Sequence, residues 1–270
     1  MKKQLTATLA ICCISFSLVL GQTRLEYGQN NYQENSKGII YNKELGFYAK
    51  LQTRGFGLGA SIGTIKTYYL TRFINIEIGS LRHIREYRQS FDFQAPATNR
   101  ISRAFVFGKQ NALYPLRVGF GEKRYLSEKA KQKGLAIGIS YEAGPTLGLV
   151  KPYYLDLWQT EDSGLEYFIR SEKYTESNAD VFLNVGRIYG ASGFAKGISE
   201  MKIYPGAHAK LGIHFDWGAY DEMLKAVEAG AMVDFFFKEV PIMIETSESD
   251  IKNTPLFLNL YLHFMLGKRW

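Results

Sequence analysis

From residue 44 onward, large apolar side chains return on every second position. A period of two puts successive side chains on opposite faces of a strand. In the last segment Leu256, Leu258, Leu260, Leu262, Phe264 and Leu266 share one face, and Phe257, Asn259, Tyr261, His263 and Met265 share the other. Val227 to Phe237 alternates with Glu228, Gly230, Met232, Asp234 and Phe236. Ala207 to Trp217 alternates with His208, Lys210, Gly212, His214 and Asp216. Upstream, Ile137, Ile139, Tyr141, Ala143 and Leu147 oppose Gly138, Ser140, Glu142, Gly144 and Thr146, and Tyr114 to Phe120 opposes Arg117 and Gly119. Ile74, Ile76 and Ile78 oppose Asn75, Glu77 and Gly79; Phe47, Ala49 and Leu51 oppose Tyr48, Lys50 and Gln52; a further strand runs from about Leu58 to Tyr68. The pattern predicts about eight strands, several long enough to cross a membrane at roughly 9–11 residues.

Alternation alone leaves open which face is inside, since a soluble barrel also alternates. Three features favour an apolar exterior. The polar face mixes charges with glycines, which suits a crowded interior. Connections near 69–71, 127–133 and 218–224 are short, whereas of the opposite ones, near 54–55, 85–111, 151–199 and 241–254, three are long; outer-membrane barrels have short periplasmic turns and long extracellular loops. Aromatic residues gather at strand ends: Tyr68, Tyr69, Tyr125, Tyr153, Tyr154, Trp158, Trp217 and Tyr220, as amphipathic rings do at the headgroup level. The expectation is an all-β, antiparallel, up-and-down transmembrane barrel over 44–270. Phe264, Leu266 and the terminal Trp270 resemble a C-terminal signal read by barrel-assembly machinery.

The N-terminus changes the compartment. Lys2 and Lys3 precede an apolar stretch from Leu5 to Leu20, and Val19 and Gly21 suit a cleavage site. Residues 1–21 therefore read as a secretory signal peptide, and 22–43 as a periplasmic segment. Both cysteines, Cys12 and Cys13, fall inside the signal, so the mature chain is expected to need no disulfide or thiolate. A lipoprotein reading is disfavoured by Ile11, where a small residue belongs. The formal net charge is +7, two units of which reside on Lys2 and Lys3. An outer-membrane destination in a Gram-negative cell gives nucleic acid no access. The 18 Tyr, 18 Phe and 26 Gly favour strands over helices.

Five stretches, "FGKQNALYPLRVGFGEKRYL", "GLVKPYYLDLW", "GASGFAKG", "YPGAHAKLGIHFDWG" and the terminal "LGKRW", carry a resemblance to an uncharacterised family of outer-membrane barrel proteins of Bacteroidota-type Gram-negative bacteria. The resemblance implies fold and location, and no site residues.

Eight strands enclose a space just wide enough for side chains. The inward set would hold Lys50, Glu77, Arg117, Glu142, His208, Lys210, His214, Asp216, Glu228, Asp234 and His263, a mixture of signs able to neutralise itself as a plug. Along one strand His208 and His214 lie about 20 Å apart at roughly 3.3 Å per residue, too far to share an ion, so no metal and no cofactor is expected. A cross-strand pairing of His208 with His263 or Glu228 has no support in the sequence. His83, near Ser80 and Ser90, lacks the spacing of a nucleophile and base, and is expected to be solvated; no catalytic residue is assigned. Arg82, Arg85, Arg88, Arg100, Arg103 and Lys109 make the second outer loop basic. They could grip lipopolysaccharide phosphates, since guanidinium matches phosphate in bidentate fashion, or pair with Glu161, Asp162, Glu166, Glu172, Glu176 and Asp180 of the third loop. The function expected is a structural or interaction subunit, partnered by outer-membrane lipid or by a protein of an outer-membrane complex. The alternatives are a rim-sited enzyme on lipid or peptide, and a narrow conduit for small solutes. The apolar periodicity of "LEYFIR" and "DVFLNVGRIYG" predicts packed structure within the third loop.

Overall fold

The computed structural model describes residues 41–90, 102–126, 135–160, 167–217, 222–245 and 251–270; the proposed signal peptide and most of the segment 22–43 lie outside them. In chain order the strands are β1 (Lys43–Gln52), β2 (Gly55–Thr67), β3 (Leu70–Leu81), β4 (Arg88–Gln89), β5 (Phe105–Val106), β6 (Asn111–Tyr125) and β7 (Ala136–Pro152). They continue with β8 (Tyr154–Thr160), β9 (Tyr167–Lys173), β10 (Ile188–Ala191), β11 (Lys202–Asp216), β12 (Met223–Phe236) and β13 (Leu256–Arg269). A single helical turn, α1 (Ala179–Phe182), lies between β9 and β10.

Eight of these strands close a barrel in the order β1-β13-β12-β11-β7-β6-β3-β2, each paired antiparallel with its sequence neighbour. β1 meets β13 at the seam, from Glu44 opposite Arg269 to Gln52 opposite Tyr261. This is an all-β, antiparallel, eight-stranded up-and-down barrel. One end carries the short connections and the seam between Lys43 and Trp270; here it is called the turn end. The other, the loop end, carries the three long connections and the tight turn between β1 and β2.

The period of two maps onto the wall directly. Even the largest apolar side chains of the outer face stand exposed, with Ile62 at 60% and Leu260 at 67% of full accessibility, while Arg117 and Glu77 are at 0%. The distribution is inverted relative to a protein that faces water on its outside. Glycines on the inner face are required by its crowding. A Cβ on Gly59 would run into the Tyr48 ring, and one on Gly119 into the Glu142 carboxylate.

The loop end is closed by an apolar cluster that the alternation does not reveal. Leu81, Leu113, Val150, Phe236 and Phe257, all at barrel strand ends, pack with Val240, Ile242 and Met243 of the connection between β12 and β13. That connection folds across the mouth as a cork. Its backbone is held by Gln110 and Asn111, whose N–H groups donate to the Ile242 carbonyl at 2.9 and 3.1 Å, and by Ile244 N–H donating to Gly108 O at 2.8 Å. The buried Asn253 completes the clasp. Its Oδ1 accepts from Ile242 and Met243 N–H at 3.0 Å each, and its Nδ2 donates to Met243 O at 2.8 Å.

Above the cork the third loop forms a small layer of its own. β10, β8 and β9 make a three-stranded sheet, and Phe105, Leu155, Leu157, Phe182, Ile188 and Ile244 form its core. The apolar residues of "DVFLNVGRIYG" thus serve a packed subdomain that shares Ile244 with the cork's connection; in "LEYFIR", Phe168 is exposed instead, and Leu165 lies outside the described residues. Residues 105–106 do not extend a barrel strand; they pair with Arg88–Gln89 in a separate ribbon. Tyr153 and Trp158 turn into this layer: Tyr153 packs against its core, and Trp158 meets Tyr189 edge-on. Tyr154 Oη donates to Glu200. These three rings are occupied within the loop layer rather than set as anchors at the headgroup level. Tyr125 also departs from the girdle, pointing inward to donate to Asp216 at 3.0 Å. Tyr69 and Trp217 at the turn end are exposed; Tyr220 lies outside the described residues.

Replacing Asn253 with Ala leaves the Met243 N–H and carbonyl of the cork without their partner, while Ile242 N–H keeps Val240 O at 2.8 Å, at about 1–3 kcal/mol for each buried group left unpaired. The expected result is proteolytic cleavage within 237–245 in the folded variant, with the barrel still migrating anomalously on a gel before boiling. Wild-type protease resistance would contradict the clasp.

Candidate functional site

The interior is a polar lattice built by register. Glu77 faces Arg117 across the β3–β6 ladder, Glu142 faces Lys210 across β7–β11, and His208 faces Asp234 across β11–β12. Side chains then reach across the lumen. Arg117 forks onto Asp234, Nε to Oδ1 at 2.6 Å and Nη2 to Oδ2 at 2.9 Å, while its Nη1 donates to Glu77. Glu77 also accepts from Lys50, from Lys210 at 2.8 Å and from Tyr48 Oη at 2.8 Å. Glu142 takes Lys210 at 3.1 Å and Asn75 at 3.0 Å, and its Oε1 lies 3.0 Å from His208 Nε2. Toward the turn end Glu44 accepts from Lys123 at 2.7 Å, and Arg269 joins Glu44 to Asp216. Isolated buried charges would cost several kcal/mol each; here the attraction between close, hydrogen-bonded partners offsets that penalty.

All eleven inward residues named from the sequence are buried, and the structure divides them among three groups. Lys50, Glu77, Arg117, Glu142, His208, Lys210 and Asp234 form the central lattice, and Asp216 joins the turn-end group. His214, Glu228 and His263 form a separate trio on β11, β12 and β13, with His214 Nδ1 3.0 Å and His263 Nε2 3.8 Å from Glu228 Oε2. His208 and His214 stay apart along β11, but lateral register brings His214 a different pair of neighbours.

The second site is a cup of about 430 Å³ at the loop end. Arg82, Arg88, Lys109, Lys151 and Lys196 line it, with Glu86 as the one acidic lining residue among the described residues. Lys109 is paired with Glu86 at 2.8 Å and lies over the Tyr153 ring. Lys151 donates to the carbonyls of Phe194 and Lys196 and sits 4.4 Å above the Phe194 ring. Of the basic residues singled out in the second loop, three reach the cup. Arg85 and Arg103 are exposed outside its lining, and Arg100 lies outside the described residues. No ion pair joins Arg82, Arg85, Arg88 or Arg103 to Glu172, Glu176 or Asp180 among the described residues; Glu161, Asp162 and Glu166 lie outside them. His83 is buried rather than solvated. Its Nδ1 accepts from Arg85 N–H at 3.2 Å and its Nε2 lies 3.2 Å from Lys252 O, tying two loops together. Lys151 and Lys196 escaped notice in the sequence because they come from the far end of β7 and from the glycine-rich "GASGFAKG"; only the fold brings them to the second loop.

At the seam Phe264, Leu266 and Trp270 are exposed on the outer face, and Trp270 O accepts from the N–H groups of Asn42 and Lys43 at 2.9 Å.

No protein-family model matches the sequence, and no curated protein does. Among solved structures, the N-terminal β-barrel domain of Pseudomonas aeruginosa OprF aligns at 10% identity and a TM-score of 0.31, over 83% of this chain and 98% of that one. Neisserial surface protein A aligns at 8% and 0.32, over 84% and 94%. A major outer membrane protein of Thermus thermophilus aligns at 8% and 0.34, over 83% and 99%. Superpositions this loose add nothing to what the closed ladder itself establishes.

Arg117→Ala strips Asp234 of its only Lys or Arg partner among the described residues, while Glu77 keeps Lys50 and Lys210. We expect a loss of about 3–5 kcal/mol, measured as a lower urea midpoint in detergent. The double replacement Arg117→Leu with Asp234→Leu should recover most of it, because no charge is then left unpaired. Equal stability of wild type and Arg117→Ala would contradict the lattice.

Proposed function

We propose that the chain is a non-conducting outer-membrane barrel that works at the cell surface as an interaction protein, its basic cup receiving a phosphate of lipopolysaccharide. The observation that carries this reading is the cup: five basic side chains converge from two separate loops and the end of β7, against one carboxylate. Guanidinium and ammonium donors make charge-assisted hydrogen bonds to phosphate.

Membrane residence is supported by the exposed apolar wall, and the orientation by the short turns at the end that holds Trp270. With an exported N-terminus in the periplasm, that end faces inward and the cup faces outward. Phe264, Leu266 and Trp270, exposed on the last strand, suit recognition during assembly. A conduit is disfavoured by the cork and by the paired lattice beneath it. A rim enzyme is disfavoured because Ser80 and Ser192 line the cup with no histidine beside them among the described residues.

Lipopolysaccharide co-purified in mild detergent should fall about tenfold in Arg82→Gln combined with Arg88→Gln and Lys196→Gln, the loss expected for removing even one charge-assisted contact. Arg187→Gln, at an exposed site away from the cup, should retain the wild-type amount. Unchanged lipid in the triple variant would overturn the reading. In planar bilayers the wild-type barrel should give no steady conductance steps, and resolvable steps of constant size would restore the conduit.

A further inference from the structure

The trio on β11, β12 and β13 has no part in the lattice or the cup. We infer that His214, Glu228 and His263 bind one divalent transition-metal ion, zinc by the chemistry of the donors, inside the barrel wall.

Register builds the site. His214 is directly opposite Glu228, and Glu228 directly opposite His263, so three consecutive strands each deliver one ligand to the inner face. Their candidate ligand atoms lie within 4.8 Å of one another. Ligands that each sit about 2.0–2.1 Å from a tetrahedral zinc lie about 3.4 Å apart, a value bracketed by the 3.0 and 3.8 Å separations of the two histidines from Glu228 Oε2. Closing the trio on an ion requires the widest separation to shorten by up to about 1.4 Å, within reach of a side-chain rotation. Two imidazoles and a carboxylate form a donor set that zinc uses, whereas calcium and magnesium prefer oxygen ligands throughout.

Two independent features indicate that a cation belongs there. The first is charge. Among the described residues, Lys50, Arg117, Lys123, Lys210 and Arg269 face Glu44, Glu77, Glu142, Asp216, Glu228 and Asp234 in the interior, one carboxylate more than there are fixed cations. Five of the carboxylates have a Lys or Arg partner. Glu228 is the exception, with only the two histidines as ion-pair partners. The second is hydrogen bonding. His263 Nε2 and His214 Nε2 are buried without a hydrogen-bond partner, in side chains 10% and 0% accessible. Buried polar atoms without partners are uncommon and call for an explanation. An ion held by His214 Nδ1, Glu228 Oε2 and His263 Nε2 supplies one for His263, and leaves the His214 ring edge-on to Tyr125.

The surroundings orient these ligands. Tyr261 Oη donates to Glu228 Oε1 at 2.7 Å, leaving Oε2 for the ion. The Tyr48 ring stacks on His263 at 4.7 Å. Partners of this kind fix ligand orientation and tune affinity. His208, by contrast, has both nitrogens engaged, Nδ1 with Thr146 at 2.9 Å and Nε2 with Glu142 at 3.0 Å, and serves as the internal control. A protonated imidazole could also balance Glu228, and metal content separates the two.

The test refolds the mature chain, carrying a tag without histidine, in detergent with zinc chloride, then removes free ion and measures bound metal by mass spectrometry. About one zinc per folded barrel is expected, falling at least tenfold in His263→Gln and retained in His208→Gln. Tyr261→Phe should weaken binding by roughly 10–100-fold. Cobalt in place of zinc should give visible absorption bands of a low-coordinate site in wild type and not in His263→Gln. Should His263→Gln fail to fold, the wild-type stoichiometry and cobalt spectrum still decide. A folded wild-type barrel that retains no zinc overturns the inference, as does a folded His263→Gln variant that keeps it.

Discussion

The guanidinium of Arg117 holds the barrel's interior together. It spans the lumen from β6 to β12, forks onto Asp234, and gives its remaining donor to Glu77 on β3. An eight-stranded wall leaves no room for a water column wide enough to hydrate charges, so each ionised group placed inside must find its partner on another strand. Arg117 meets that need with a planar, permanently charged fork. Lys50, Lys210, Glu142 and His208 are arranged around the two carboxylates it fixes. Six of the eight strands, β1, β3, β6, β7, β11 and β12, are thereby tied to one another in register through side chains as well as backbone.

That dependence works against slippage. Moving a strand by one residue would turn its charged set outward and its leucines and isoleucines inward. On β6 it would carry Arg117 to the outer wall and leave Glu77 and Asp234 without it. The small inward glycines act in the same direction, since Gly59 and Gly119 are the positions where Tyr48 and Glu142 can lie across the lumen.

Most of the wall could be read from the chain because a strand's two faces alternate strictly and the barrel gives each face one environment. Lys50, Glu77, Arg117 and Glu142 are named from that rule alone, and all are buried. The same rule says nothing about which inward residues meet, since partners such as Arg117 and Asp234 are 117 positions apart. The trio of His214, Glu228 and His263 is invisible for that reason: distance along β11 separates the two histidines of one strand, and only register brings in the third. Tyr125 misleads for a different reason. It ends its strand, where a ring at the headgroup level is the common case, but its side chain has the parity of the inner face. The cork is missed because Val240, Ile242 and Met243 belong to a loop, and loops are read for polarity; the short apolar run "VPIMI" is its one visible trace.

The two ends of the barrel are sealed by different chemistry, and the chain places the apolar seal in the connection between its last two strands. While β12 and β13 are still unplaced, the mouth has neither Phe236 and Phe257 nor the segment that crosses them, and the lumen is open to solvent. Asp234 lies on β12 itself, so Arg117 gains its fork from the same strand that brings Phe236 to the mouth. The strand that supplies the last partner of the central ion pair thus also carries part of the seal that keeps water from it.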